Sequence, residues 1–355
     1  MQKISSYLLA LFLICIGFIY SSCSFFTTDT PIKITKKPQQ KSVLSLKDTE
    51  INHLLKNNPK KLGSLSIGHP YAGALFNPVQ MPEGQRWKLI DPNESWGTQE
   101  TIDFVIASIN KVYEQYPGAS PIEIGDISVR NGGSFGSHKS HQAGRDVDFG
   151  WYYKNINGHW WKRATKNNLD LARTWALIRA LFEESDVELI LIDRSIQKLL
   201  YQYAMGIGED PKWLKTVFQY PVTNRGQGII RHAKGHATHM HVRFYNLQAQ
   251  EMGRRTYPYL VKNNIIKLPQ TYVYHRVRNG ETLGHLASRY RTTVATIKQV
   301  NGLKTNLIRV GHKYKIPQKG GIKIATEPIE IPPRNIPPSM AASEKASPPI
   351  TLLRK

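Results

Sequence analysis

Two stretches decide how this chain reads: Ser137-His138-Lys139-Ser140-His141-Gln142-Ala143-Gly144-Arg145-Asp146-Val147-Asp148 and Gly235-His236-Ala237-Thr238-His239-Met240-His241-Val242-Arg243-Phe244. They hold five of the chain's twelve histidines, with two carboxylates among them. Imidazole and carboxylate are the usual zinc ligands where cysteine is absent, and three protein ligands beside one open position make a catalytic zinc site. The residue types therefore point to a metallohydrolase.

The spacing supports that reading. His239 to Phe244 alternates polar and apolar, the period of a half-buried strand. The pattern predicts His239, His241 and Arg243 on one face, with Met240, Val242 and Phe244 in the core. Asp146-Val147-Asp148-Phe149 repeats it with two aspartates on one face, although aspartate is depleted in strands. A surface histidine cluster or a metal-free pH-sensitive patch accounts for any one of these histidines but poorly for the joint pattern.

At these residues the chain resembles a zinc peptidase superfamily with the signature His141…Asp148 followed by His239-x-His241. That superfamily includes lysostaphin-type enzymes, D-Ala-D-Ala peptidases and the non-catalytic hedgehog signalling domain. The penicillin-insensitive murein endopeptidases are the closer match. They are similar in the Ser-His-Gln-x-Gly-x-Asp-Val-Asp run, in Asp-x-x-Trp-Leu-Lys (Asp210 to Lys215) and in the closing His-x-x-His-Met-His-Val-Arg. The resemblance covers roughly Gly63 to Arg255 and implies cleavage of the D-alanyl to diaminopimelate cross-link of peptidoglycan. Carried over by position, it implies His141, Asp148 and His241 as zinc ligands and His138 as a further ligand. It also implies His239 beside the reacting centre, with His236 as a second active-site histidine. The family's second metal position falls near Asn157 and His159. Asparagine is a poor zinc ligand, so one zinc site is expected, and His159 serves equally well as a groove or loop residue.

With no Glu of the H-E-x-x-H type in the motifs, histidine is the expected proton carrier, its pKa lying near ~6.5. His239 is assigned to transition-state stabilisation and proton transfer, with His236 assisting. Arg243 is a candidate for a substrate carboxylate, since guanidinium pairs bidentately with carboxylate; an ordinary strand-surface arginine is the alternative.

The ends and the composition set the compartment. Lys3, the apolar run Leu8 to Ile19 and Tyr20-Ser21-Ser22-Cys23 read as a signal peptide over residues 1–23 with a lipoprotein-like site at Cys23. Tyr20 leaves ordinary signal cleavage open. The run is shorter than the roughly 20 residues of a membrane span. Cys15 lies inside it, so the exported chain is expected to have no disulfide. Lysine and arginine exceed acids by 48 to 26, a net charge of +22. Such charge suits a polyanion, and the export signal favours carboxylate-bearing cell wall and anionic headgroups over nucleic acid. The expected location is the periplasm, as a lipoprotein anchored in the outer membrane.

Residues 24–62, rich in Lys, Thr and Gln, read as a linker with a short helix near Asp48 to Lys56. The zinc domain follows over 63–255. Helices are predicted at Thr101 to Tyr116, Leu169 to Glu184 and Ser195 to Tyr203; strands at Ile122 to Val129, Val187 to Ile192 and Gly235 to Phe244. The mixture predicts an α+β fold with the zinc on an antiparallel sheet flanked by helices.

A connector over 256–269 leads to a second resemblance. Tyr274-His275-Arg276-Val277-Arg278-Asn279-Gly280-Glu281-Thr282-Leu283, Leu286-Ala287-x-x-Tyr290, Val294-x-x-Ile297-x-x-x-Asn301-x-Leu303 and Val310-Gly311-x-x-Tyr314-x-Ile316-Pro317 look like a LysM module over 270–317. That resemblance implies a β-α-α-β fold binding N-acetylglucosamine-containing glycan through loop atoms after Gly280 and near Asn301. Residues 318–355, dense in proline, read as a disordered tail.

Both resemblances name one polymer. The leading expectation is an exported zinc endopeptidase of peptidoglycan tethered by LysM. A D,D- or L,D-carboxypeptidase of the same fold is one alternative. A non-catalytic wall-binding protein with structural zinc is the other.

Overall fold

The computed structural model describes residues 43–136, 138–154, 160–222, 228–266, 271–318 and 322–339. Twelve strands and eight α-helices alternate irregularly along them, the α+β arrangement expected. Helix α1 (Asp48–Asn57) precedes strands β1 (Leu65–His69), β2 (Ala72–Phe76), β3 (Val79–Gln80), β4 (Trp87–Leu89) and β5 (Trp96–Gly97). Helix α2 (Gln99–Gln115), strands β6 (Ile122–Ile124) and β7 (Asp146–Phe149), helix α3 (Leu171–Glu184) and strand β8 (Val187–Ile192) follow. Helices α4 (Arg194–Gly206) and α5 (Pro211–Val217), strands β9 (Ile230–His232) and β10 (Met240–Phe244), and helix α6 (Leu247–Lys262) complete the large domain.

Its scaffold is a six-stranded sheet in the order β4-β6-β7-β10-β8-β9. The four inner strands run antiparallel to their neighbours. Each edge strand is parallel to the one beside it. The sheet is therefore mixed, with an antiparallel centre. Helices α2 and α3 begin where the sequence supplies caps: Thr98 Oγ1 accepts from the Thr101 amide and the Asp170 carboxylate from that of Arg173. Such caps satisfy helix-end amides that lack intrahelical partners. Their apolar stripes, Ile102, Val105, Ile109 and Val112 on one and Trp175, Ile178 and Phe182 on the other, join Val147, Phe149, Met240, Val242 and Phe244 in a single core. Predicted strands at Ile122 to Val129 and Gly235 to Phe244 are shorter than expected, because irregular chain follows β6 over Gly125 to Val129 and a turn precedes β10 over Gly235 to His239.

Both ends of the large domain fold further than composition indicated. The short helix expected near Asp48 to Lys56 is α1, and its Ile51 and Leu55 are buried with Leu62 against β1 and α6, so this part of the expected linker packs on the domain. Helix α6 runs on through Pro258 to Lys262, into the expected connector. It lies so close to β1 that a Cβ on Gly253 would stand 2.1 Å from the Ser66 carbonyl oxygen.

Beyond it, strands β11 (Thr271–Arg276) and β12 (Lys313–Gln318) pair antiparallel around helices α7 (Leu283–Arg289) and α8 (Val294–Asn301). This is the β-α-α-β order of the second resemblance. Val277, Leu283, Leu286, Ala287, Ile297 and Ile316 form its core. Glu281 accepts from the Arg278 amide, His275 and Arg289, and these hold its carboxyl down at about 2. The Asn301 side chain bridges α8 to β12 through the Lys315 amide and carbonyl, at 2.8 and 2.7 Å. Asn301 thus pins the module together, and any glycan contact near it falls to its neighbours.

The segment after the module departs furthest from the disordered tail expected. Its described residues, 322–339, lie as extended chain along the large domain. Ile322 is 4% exposed and packs beside Gly68, where a Cβ would meet its Cγ2 at 1.9 Å. Gly68 also has φ of 75°, so glycine is required twice over at that position. Further on, the Ile329 amide donates to Glu251 at 3.0 Å, Arg334 pairs with Asp186, and Trp213 Nε1 donates to the Asn335 carbonyl at 2.9 Å. Proline-rich chain loses little entropy on ordering, so a few anchors suffice to hold it. Ile322→Ala is expected to cost about 2 kcal/mol, as for a buried aliphatic truncation, and to lower the melting temperature by about 4–8 °C. Calorimetry on the full chain checks this; an unchanged melting temperature would show that the strap contributes nothing to stability.

Candidate metal centre

Strands β7 and β10 pair antiparallel with His241 opposite Asp148 and Arg243 opposite Asp146. The two sequence stretches thus meet across one ladder, and the period-two pattern of each sends its polar side chains to the same face. Asp148 is 2% exposed and sits at the centre of the cluster. Its Oδ1 lies 2.9 Å from His241 Nδ1 and 3.4 Å from His141 Nε2, and its Oδ2 3.7 Å from His239 Nε2.

His141 is aimed by its backbone. Its φ is 65°, its amide donates to Asp146 Oδ2 at 2.9 Å, and its Nδ1 lies 3.1 Å from the Ile127 carbonyl oxygen. Nε2 is left to face Asp148. His138 Nε2 stands 3.0 Å from Asp126 Oδ2. Ligand atoms of His138, His141 and Asp148 lie within 4.8 Å of one another, and so do those of Glu94, Asp126 and His138. His138 therefore belongs to both groups, while His241 joins the first through its contact with Asp148.

Burial and charge compete at every position. Burial pushes the Asp148 carboxyl up, but His141 and His241 outweigh it and hold Asp148 well below its usual value. Burial alone would lower His141; the Asp148 and Asp146 carboxylates overcome it and raise His141 to about 9. For Asp146, burial is likewise outweighed by His241 and Arg243. For His239 the balance goes the other way: burial lowers it to about 4, with Asp148 pulling against it and neighbouring imidazoles adding to the fall. Burial also lowers His236, whose ring lies 4.7 Å from that of His239. The site therefore places charge-stabilised groups at the centre and neutral imidazoles at its rim.

The residues fit a divalent metal of the zinc class. Imidazoles and a carboxylate converge without a thiol, the donor set such ions accept. His241 Nε2 is buried without a hydrogen-bond partner among the described residues, and the nearest carboxylate oxygen, on Asp146, is 3.8 Å away. Buried polar atoms are ordinarily paired, so this one marks a place completed by something besides the chain.

Two roles differ from expectation or escaped it. Arg243 donates to both oxygens of Asp146, at 2.6 and 3.1 Å, so its fork is already engaged by this chain. Asp146 in turn supports both His141 and Arg243. Asp126, which orients His138, follows β6 with no spacing signal to mark it. His159 and Cys23 lie outside the described residues.

A buried histidine–aspartate centre on the open face of an α+β sheet, with neutral imidazoles at its rim, defines a candidate hydrolase site of the metal-dependent kind. The family profile described as penicillin-insensitive murein endopeptidase matches residues 66–258, and a LysM domain profile matches residues 275–317. The chain belongs to the penicillin-insensitive murein endopeptidase family and carries a C-terminal LysM domain. Among curated proteins, the penicillin-insensitive murein endopeptidase of Klebsiella pneumoniae subsp. pneumoniae is 26% identical over 212 residues, covering 55% of this chain and 69% of the relative. That of Klebsiella pneumoniae strain 342 is 27% identical over 199 residues, 50% of this chain and 65% of its own length. The protein of that name from Salmonella arizonae is 26% identical over 215 residues, with shares of 55% and 69%.

Proposed function

We propose that this chain is a zinc-dependent peptidoglycan endopeptidase that hydrolyses D-alanyl to diaminopimelate cross-links while its LysM domain holds it on glycan. The observation that carries the reading is the meeting of His141, Asp148 and His241 across β7 and β10, with His239 beside them. In this reading His141, Asp148 and His241 hold the metal, with His138 in reach of it. Zinc, when bound, polarises a carbonyl and lowers the pKa of coordinated water to roughly 7.

The chain's own residues supply the rest. His239 is neutral at neutral pH because burial lowers it, so its Nε2 is free to accept a proton. Thr238 Oγ1, 3.0 Å from His239 Nδ1, fixes the other side of the ring. Once protonated, His239 is the acid nearest to hand for a departing amine, and His236 lies next to it. Arg243 commits Nε and one Nη to Asp146, which leaves less of its fork for a terminal carboxylate. That favours cutting within cross-links over a carboxypeptidase reaction.

Export, the Cys23 lipid anchor and a periplasmic location belong to the same proposal, supported by murein, the polymer that the endopeptidase family is named for. No helix among the described residues is long and apolar enough to cross a membrane. Tethering by LysM raises the local concentration of cross-links without adding active-site contacts. The test incubates the purified chain with cross-linked muropeptide dimers, with and without a chelator, and identifies products by mass spectrometry. Chelator-sensitive conversion of dimers to monomers is expected. Loss of a single terminal residue would point to a carboxypeptidase; intact dimers with zinc bound would point to a wall-binding protein.

A further inference from the structure

His239 is held by two ring neighbours. One is His236, tilted against it at 4.7 Å; the other is Trp161, whose indole stacks 4.7 Å from the His239 ring at 15° between planes. Thr238 meets the edge at Nδ1. What remains is Nε2, facing the centre, 3.7 Å from Asp148 Oδ2.

Trp161 is an unusual residue to find in this role. It is 55% exposed, among the more exposed large hydrophobic side chains described. Its φ is 71°, a left-handed backbone that bulky residues rarely adopt. Strain of this kind persists only where surrounding contacts enforce it, and it concentrates at functional sites. The enforcing contact is visible one residue earlier. Trp160 lies flat against Gly125, where a Cβ would approach its Cη2 to 2.1 Å. Gly125 directly precedes Asp126, the partner of His138, so the floor that seats Trp160 also carries the support of the metal centre. With Trp160 seated in that notch, the left-handed turn at Trp161 swings its indole back over His239. Neither hydrophobic packing nor solubility accounts for that placement, since the outer part of the ring stays in solvent.

We propose that Trp161 is a positioning residue: its indole clamps the His239 ring in the plane that aims Nε2 at the reacting centre. This rests on the endopeptidase reading for its catalytic consequence but not for the clamp itself. Holding a proton-transfer group to within a fraction of an ångström matters, because misplacement by 1 Å can cost about 100-fold in rate. The clamp acts on turnover and leaves metal retention alone, since Trp161 touches none of the proposed ligands in the contacts described.

The test uses full-length chain carrying Trp161→Ala or Trp161→Phe, with two independent readouts. Steady-state hydrolysis of muropeptide dimers separates kcat from KM, and metal content is measured on the same samples. For Trp161→Ala, kcat is expected to fall by about 10- to 100-fold with little change in KM or in bound metal. Trp161→Phe, which keeps an aromatic face, is expected to recover most of the loss. Histidine-ring NMR reads the clamp without any reaction: stacking shifts the His239 ring protons upfield, and Trp161→Ala should abolish that shift. Unchanged kcat, or a raised KM at unchanged kcat, would overturn the positioning role, the latter making Trp161 a substrate contact. A His239 signal indifferent to Trp161→Ala would overturn the clamp. If the parent chain left dimers intact while the NMR shift depended on Trp161, the endopeptidase reading would fail and the clamp would stand.

Discussion

Asp148→Ala should yield a folded chain that neither retains metal nor cleaves cross-links. Asp148 lies beside three imidazoles of the site, with His241, His141 and His239 at 2.9, 3.4 and 3.7 Å. Its carboxylate is buried yet held ionised, because His141 and His241 outweigh the cost of burial. Removing it takes away one proposed ligand and leaves two imidazoles with Asp146, already paired to Arg243, as the nearby anion. Loss of a mere outer partner of a metal ligand already weakens binding by about 10- to 100-fold, so loss of a ligand should exceed that. The fold should survive, since Val147 and Phe149 on the same strand keep their core contacts. Elemental analysis of the dialysed variant, beside circular dichroism, measures both parts. Full metal content in the variant would remove Asp148 from the ligand set and leave His138, His141 and His241 to account for it.

The strands that carry this site were legible because two faces of a sheet impose a period of two. Asp146 to Phe149 and Met240 to Phe244 show it plainly, and β8 was predicted to the residue. What a single strand cannot reveal is its partner. That Arg243 would stand opposite Asp146 depends on register, and register is set by the pairing of two segments remote in sequence. Without it, Arg243 looked available to substrate. Asp126 and Trp161 were hidden for a related reason. Each acts from outside the regular elements, where no periodicity exists and position follows from close packing such as that of Trp160 on Gly125. The strap over residues 322–339 shows the limit of compositional reading. Proline density describes a chain that forms no helix or sheet, and it is silent on whether that chain lies on a surface. Ile322 in the notch at Gly68 and Arg334 on Asp186 are specific contacts within a segment whose average composition looks disordered. Family profiles matched residues 66–258 and 275–317 and stop short of it.

His239→Ala separates binding of the metal from the chemistry done beside it. The side chain is 6% exposed, and burial lowers its pKa to about 4. At neutral pH it is therefore a neutral imidazole, able to take up a proton. The shift has the opposite sign to that of His141, raised to about 9 by Asp148 and Asp146. Two histidines within one cluster are thus driven apart, a pattern that distinguishes a group held against charge from one kept ready to take up a proton. The difference follows from position: His141 is anchored at Nδ1 by the Ile127 carbonyl and faces carboxylate, whereas His239 lies between the rings of Trp161 and His236. General acid–base groups contribute about 100- to 10,000-fold to rate. His239→Ala should accordingly lose about that factor in kcat while retaining metal, in contrast to Asp148→Ala, which should lose both. His236→Ala, farther out, should lose less. Parallel metal analysis and single-turnover cleavage of muropeptide dimers distinguish the two variants. Should His239→Ala release the metal, His239 would be a ligand, and the proton would have to travel by way of His236.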